Sequence, residues 1–550
     1  MSGLAILGVS FVIFLLAYVG YGRWLAKKWG VDENAPTPAH YLRDGVDYVP
    51  ANRSVVFGHQ FASIAGAGPI NGPIIAAMFG WVPVLLWIIF GGIFFGAVQD
   101  FAAMYASVKN KGKTIGYLIE LYVGKTGKRL FLVFVWLFSI LVVAAFADIV
   151  AVTFDGGVAD AAVAKANASV ATTSILFILA AVGLGQYLQR GKPSGYASAA
   201  VAVIMLAACI AIGLSVPVYM SKTFWLYFVF AYVFVASVTP VWALLQPRDY
   251  LNSFLLVAMI AASFAGVIFA NPQMNIAPFT GFVINGQSLF PFLFVTVACG
   301  AVSGFHSLVS SGTSSKQVNN ERDMLPISFG GMLMECLLAV IALVAVGALA
   351  TGGKLPAGSP PQIFAAAIAG FLSGLGLPQE AVFTIITLAV SAFALTSLDS
   401  VARVGRLAFQ ELFIDSSEGA EMGPVSSFFS NRYVATFLTL LMGYLLALRG
   451  YKDIWPLFGS ANQLLAALSL IACAIYLKKT NREGWMLYAP MIIMLGVTFT
   501  ALGLTIYQMA AKAGAGTFSL GADGLQTIFA VLLLCLGVLV AVAGVKRLRA

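Results

Sequence analysis

Residues 56–78, VFGHQFASIAGAGPINGPIIAAM, are long and apolar enough to cross a bilayer. Their middle, GAGPINGP at 66–73, carries three glycines and two prolines. Proline removes a backbone donor and glycine weakens the helix, so the span has to break. Inside lipid a broken backbone leaves amides and carbonyls unpaired, and it is stable only where it faces protein or a polar cavity. A single proline would read as a packing kink. A cluster of them beside His59, Gln60, Ser63 and Asn71 reads as a binding site, with Gly66, Gly68, Asn71 and Gly72 offering backbone and amide groups to a ligand.

The rest of the chain is the same kind of material. With 60% hydrophobic and 10% charged residues and a mean hydropathy of +0.93, it reads as an all-α polytopic membrane protein. The short alternating segments of an outer-membrane barrel are absent. The five cysteines lie in apolar runs without paired spacing, and the three histidines are scattered, so neither a disulfide framework nor a metal motif is expected. The net charge of +9 does not point to nucleic acid. Its lysines and arginines fall in alternate loops, beginning with Arg23, Lys27 and Lys28 after a retained first helix. That alternation threads about 15 spans, with the N-terminus outside and the C-terminus cytoplasmic.

Residues 290–315, FPFLFVTVACGAVSGFHSLVSSGTSS, repeat the opening theme. Gly300, Ser303, Gly304 and Ser307 interrupt an apolar span, and His306 sits in it much as His59 sits in the first. By the threading, the two interrupted helices run in opposite directions, which points to an inverted repeat with a site at its midplane. A weaker echo links AAFADIVAVTF at 144–154 with SAFALTSLDSV at 391–401.

Charged groups inside spans are functional candidates by default. Thr396, Asp399, Ser400 and Arg403 share one helical face, and Asp399 with Arg403 reads as an i, i+4 ion pair. Thr396 and Ser397 read either as oxygen ligands for sodium or as hydroxyls bonded back to the preceding turn. Asp148, with no cation near it in sequence, is either a proton carrier or a hydrogen-bonded structural acid. Asp100 and Glu335 lie nearer the span ends and read as local anchors. His59 and His306 are candidates for proton exchange.

The segments GHQFASIAGAGPINGPIIAAMFGW, HYLRDGVDYVPANRSVVFGHQF and ACGAVSGFHSLVSSGTSSKQ resemble the carbon starvation protein CstA family. The resemblance implies a bacterial inner-membrane permease with a LeuT-like inverted repeat, two interrupted helices and extra transmembrane helices. Phe393 to Ser397 then looks like that fold's sodium-binding segment. It also implies a division into an N-terminal helix and connection (1–53), a first repeat half (54–222), an inserted hairpin and outer loop (223–289), a second half (290–477) and accessory helices (478–550). A rival register takes residues 224–245, with Thr239-Pro240, as the second interrupted helix.

The combined expectation is a secondary active transporter that imports pyruvate, a small carboxylate, with a proton by alternating access. His59, Ser63, Gly66, Gly68, Asn71, Gly72, Ser303, Gly304 and His306 would bind substrate, with amides near Asn71 and Gly72 facing the carboxylate. Asp148, Thr396, Ser397 and Asp399 would carry ion coupling. Short peptides are the alternative substrate, sodium the alternative ion, and a nutrient sensor the alternative role. No ringed pore motif suggests a channel, no nucleophile-and-base context suggests an enzyme, and no cofactor is expected.

Overall fold

The computed structural model describes residues 1–45, 47–191, 195–240, 244–413, 423–520 and 523–549. Helices dominate because the chain offers long apolar runs whose backbone groups can pair only within a segment. Among the described residues, eleven helices are long and apolar enough to cross a membrane. The pair Arg53–Ile64 and Gly68–Phe79, bent by 45°, makes a twelfth if it is one span.

The expected count of about 15 therefore exceeds what length alone supports, and the shortfall has local causes. The expected span 224–245 is the shorter helix Lys222–Val238, because Pro240 forces Thr239 into extended backbone (ψ 148°); residues 241–243 of that span lie outside the described residues. The span expected at 433–448 is Arg432–Ala447, also short. The second interrupted segment is two eight-residue helices, Leu289–Thr296 and Phe305–Gly312. One helix was not anticipated: Pro360–Ser373, opened by a capping box between Ser359 and Gln362.

The chain divides into two compact units, each drawing on both halves of the expected repeat. One consists of Met1–Leu4, Ser139–Ile276 and Val344–Tyr451, and the other of Ala5–Phe138, Ala277–Leu343 and Lys452–Ala550. In the first, the long helix Gln379–Phe413 packs against Pro360–Ser373, Ala161–Gly191 and Arg432–Ala447. The second contains both interrupted helices, together with Trp81–Lys109, Glu321–Leu349 and most of Tyr451–Lys479.

Close backbone approach in the second unit depends on glycine. A Cβ on Gly304 would collide with the backbone of Asn462 and Ala466. Gly304→Ala is therefore expected to destabilise the protein by about 1–3 kcal/mol, read as a lower unfolding temperature in detergent. Gly312→Ala, with open space around the new methyl, is expected to leave that temperature unchanged or raise it slightly.

Candidate functional site

The two interrupted helices meet at their breaks. In the first, the chain leaves the helix at Ala65 (ψ 60°) and re-enters at Gly68, with Pro69 in the first turn of the new helix. A methyl on Gly68 would strike the Cys299 side chain, and one on Gly72 would sit 2.6 Å from the Thr296 carbonyl oxygen. Cys299 lies inside the second break and Thr296 at its edge, so the absence of side chains brings one break onto the other.

Four backbone groups at the second break are paired by Tyr451–Lys479. The Gly304 amide donates to the Asn462 carbonyl (3.0 Å), and the Phe305 amide donates to Asn462 Oδ1 (3.1 Å). Asn462 Nδ2 donates to Ser303 Oγ (3.1 Å). Trp455 Nε1 reaches the Thr296 carbonyl (3.1 Å) and Gln463 Nε2 the Phe294 carbonyl (2.7 Å).

Two buried polar groups at the breaks have no partner in the protein. Neither atom of the Asn71 amide is hydrogen-bonded, although the residue is fully buried, and the Thr296 hydroxyl is also unpaired. Each such group costs about 1–3 kcal/mol when left unpaired, so both have hydrogen-bonding capacity that the described residues do not use. The amide cradle expected at Asn71–Gly72 needs correction. The Asn71 and Ile70 N–H groups bond to the Ala67 carbonyl (3.0 and 3.3 Å) and Pro69 has no N–H, so the first amide of the half-helix is that of Gly68.

His306 stands in the first turn of Phe305–Gly312, and the structure places it between two acids. Its Nδ1 lies 2.8 Å from Asp100 Oδ2, on Trp81–Lys109, and its Nε2 lies 3.2 Å from Glu335 Oε2, on Glu321–Leu349. None of the three side chains is more than 1% exposed. With its amide oriented to suit its neighbours, Gln99 donates to Asp100 Oδ1 (3.1 Å) and to the Ser303 carbonyl (3.0 Å). Asp100 and Glu335 are thus partners of His306, and their reading as anchors near span ends is corrected. The i, i+3 and i, i+4 spacings that expose a pair on one helix give no hint of three groups on three helices.

Other expected residues are placed differently. His59 is exposed, with Nε2 3.2 Å from Thr313 Oγ1, and the Ser63 hydroxyl donates to the His59 carbonyl (2.8 Å). The buried polar residue of that half-helix is Gln60, which donates to Ser310 Oγ (2.8 Å) and accepts from Ser314 Oγ (2.6 Å). His59 is therefore not the buried counterpart of His306 that its place in the sequence suggested.

In the other unit, Asp148 is not isolated. Lys222 Nζ lies 2.7 Å from its Oδ1, and the Tyr451 amide donates to its Oδ2 (2.8 Å). Asp399 pairs with Arg248 rather than with Arg403, and the Tyr232 hydroxyl also donates to it (2.8 Å). Arg248, read as a loop cation, is buried near the start of Leu245–Ala270. Arg403 Nη2 donates instead to the carbonyls of Ala236 (2.9 Å) and Thr239 (2.7 Å). The Thr396 hydroxyl donates to the Ala392 carbonyl (2.9 Å) and accepts from Asn252 Nδ2 (2.9 Å), so it is bonded back to the preceding turn. Ser397 lies beside it, buried.

Comparison with known proteins agrees with this architecture. The sequence pattern of the family described as Carbon starvation protein CstA matches residues 2–360 and 350–501. The whole chain is similar, at 31% identity, to 97% of the "Peptide transporter CstA" of Bacillus subtilis. It is 32% identical to the "Peptide transporter CstA" of Escherichia coli, over 93% of this chain and 82% of that one. It is also 31% identical to the "Pyruvate/proton symporter BtsT" of Escherichia coli, over 92% of this chain and 82% of that one. In fold it is similar to a crystal structure of a mutant Eremococcus coleocola manganese transporter, with a TM-score of 0.50 and 11% identity over 90% of this chain and 95% of that one. The chain belongs to the carbon starvation protein CstA family of membrane transporters.

Proposed function

We propose that this protein is a secondary active transporter that moves a small carboxylate of the pyruvate type with a proton by alternating access. The observation that carries the reading is the contact between two interrupted helices, with the unpaired amide of Asn71 buried where they meet. Half-helix starts carry partial positive charge and suit a carboxylate. The start at Gly68, with Asn71 and Thr296, would hold it, and Ser303 and Gly304 would shape the facing wall. On this reading the fold is a LeuT-like inverted repeat. If Lys222–Val238, Arg432–Ala447 and the second interrupted pair each cross the membrane, the number of crossings returns to about 15. The setting would be a bacterial inner membrane, with the N-terminus outside.

Short peptides are the second reading, favoured by the names of the Bacillus subtilis and Escherichia coli relatives. A peptide needs an acid for its amine, and the buried acids Asp148 and Asp399 already hold cations. Sodium is the weaker coupling ion, because the Thr396 hydroxyl is engaged by Ala392 and Asn252.

In proteoliposomes, labelled pyruvate is expected to accumulate under an inward pH gradient and not under a sodium gradient alone. Accumulation of dipeptides but not pyruvate would overturn the carboxylate and leave a transporter. Binding without net flux would turn the protein into a sensor. Asn71→Ala is expected to raise the half-saturation concentration about tenfold or more, the loss of one charge-assisted hydrogen bond. Asp148→Asn is expected to keep pH-driven accumulation while lowering stability by about 1–3 kcal/mol, because it removes the partner of a half-exposed lysine. Uptake and thermal unfolding of the same preparation check both.

A further inference from the structure

We infer that Asp100, His306 and Glu335 together form the site that carries the coupling proton, an inference that rests on the proposed proton-coupled transport. Three helices contribute one ionisable group each, and the imidazole bridges the two carboxyls at 2.8 Å and 3.2 Å. The position of the cluster matters as much as its composition. His306 follows Gly304 by two residues, in the first turn after the break, and Gln99 links Asp100 to the Ser303 carbonyl inside that break.

A second observation shows that the cluster is incompletely satisfied by the protein. Glu335 is fully buried, and among the described residues neither of its carboxyl oxygens has a hydrogen-bond partner; its Oε2 lies at ion-pair distance from His306 Nε2, without hydrogen-bond geometry. Other titratable groups close enough to act on Glu335 are the thiols of Cys299 and Cys336. Among the described residues, no lysine or arginine forms an ion pair with any of the three groups.

The chemistry balances without a further reactant. With one proton among the three groups the cluster carries a charge of −1, and with two it is neutral. One proton taken up on one side and released on the other, together with one carboxylate anion, moves no net charge. Only an O–H or N–H bond forms and breaks. Gln99 acts as a positioning residue that holds Asp100 in register with the break.

Reconstituted full-length protein tests this by three readouts: pH-driven accumulation, gradient-free exchange of the same substrate, and the infrared difference spectrum between acidic and alkaline buffer. Pyruvate is the first probe and dialanine the second. Glu335→Gln and Asp100→Asn are expected to lose pH-driven accumulation, keep exchange, and lose or shift the carboxyl band of the wild-type spectrum. Glu335→Asp is expected to restore part of the accumulation. Accumulation that survives in Glu335→Gln and Asp100→Asn overturns the proposal. Loss of exchange in a well-folded variant also overturns it, because the residues would then serve substrate binding. If a variant fails to fold, the wild-type band under 13C-glutamate labelling decides: a band that does not move removes Glu335 from the site. A wild type that accumulates neither probe overturns the proposed transport and the coupling role with it, while the infrared band still decides whether the cluster exchanges a proton.

Discussion

Two helix breaks survive in an apolar bundle only if the backbone groups they free find partners. Here that requirement is met by backbone contact at glycine and by one neighbouring helix. Gly68 and Gly72 lie against Cys299 and Thr296, and Gly304 lies against Asn462 and Ala466, at separations that exclude a Cβ. Asn462, Trp455 and Gln463 then pair groups of the second break one by one. The Tyr451–Lys479 helix is thus a splint. Residues beyond 478, expected to be accessory, pack on the second interrupted segment, since Val497 and Ala501 cluster with Val295 of Leu289–Thr296.

The buried charges divide into two kinds. Asp399 with Arg248 and Asp148 with Lys222 each contain an arginine or lysine, and each acid accepts from a further donor besides. Arg403 and Arg406 donate to carbonyls at the end of Lys222–Val238. These arrangements hold helices in place, because removing either partner strands a charge away from water. Among the described residues, Asp100, His306 and Glu335 form no ion pair with a lysine or arginine, and the charge of such a cluster depends on how many protons it holds.

Much of this was legible in the sequence where the cause is local. The glycines and prolines at 66–73 and the glycines at 300–304 mark both breaks, because helix termination depends on the residues at the break itself. Asn71, Ser303, Gly304 and His306 followed from them. Partnerships across helices were not legible. Asp399 has a well-placed Arg403 four residues on, yet it pairs with Arg248, which is distant in sequence and hidden in a span that reads as a loop boundary. His59 and His306 look equivalent by spacing, but one is exposed and the other buried between acids. Periodicity places a residue on a face and says nothing about which face meets which helix.

The same break that creates the ligand-facing surface also fixes His306. Had the second helix continued unbroken, residues 297–304 would pair with each other and the Ser303 carbonyl would be closed to Gln99. Because it breaks, that carbonyl takes a donor from the residue beside Asp100, while Ser303 Oγ takes one from Asn462. A ligand that rearranges the break therefore acts on Asp100 through one amide and on the Tyr451–Lys479 helix through another. On the proposed reading coupling needs no long relay, since the break that would face substrate and the cluster of Asp100, His306 and Glu335 are separated by a single hydrogen-bonding side chain.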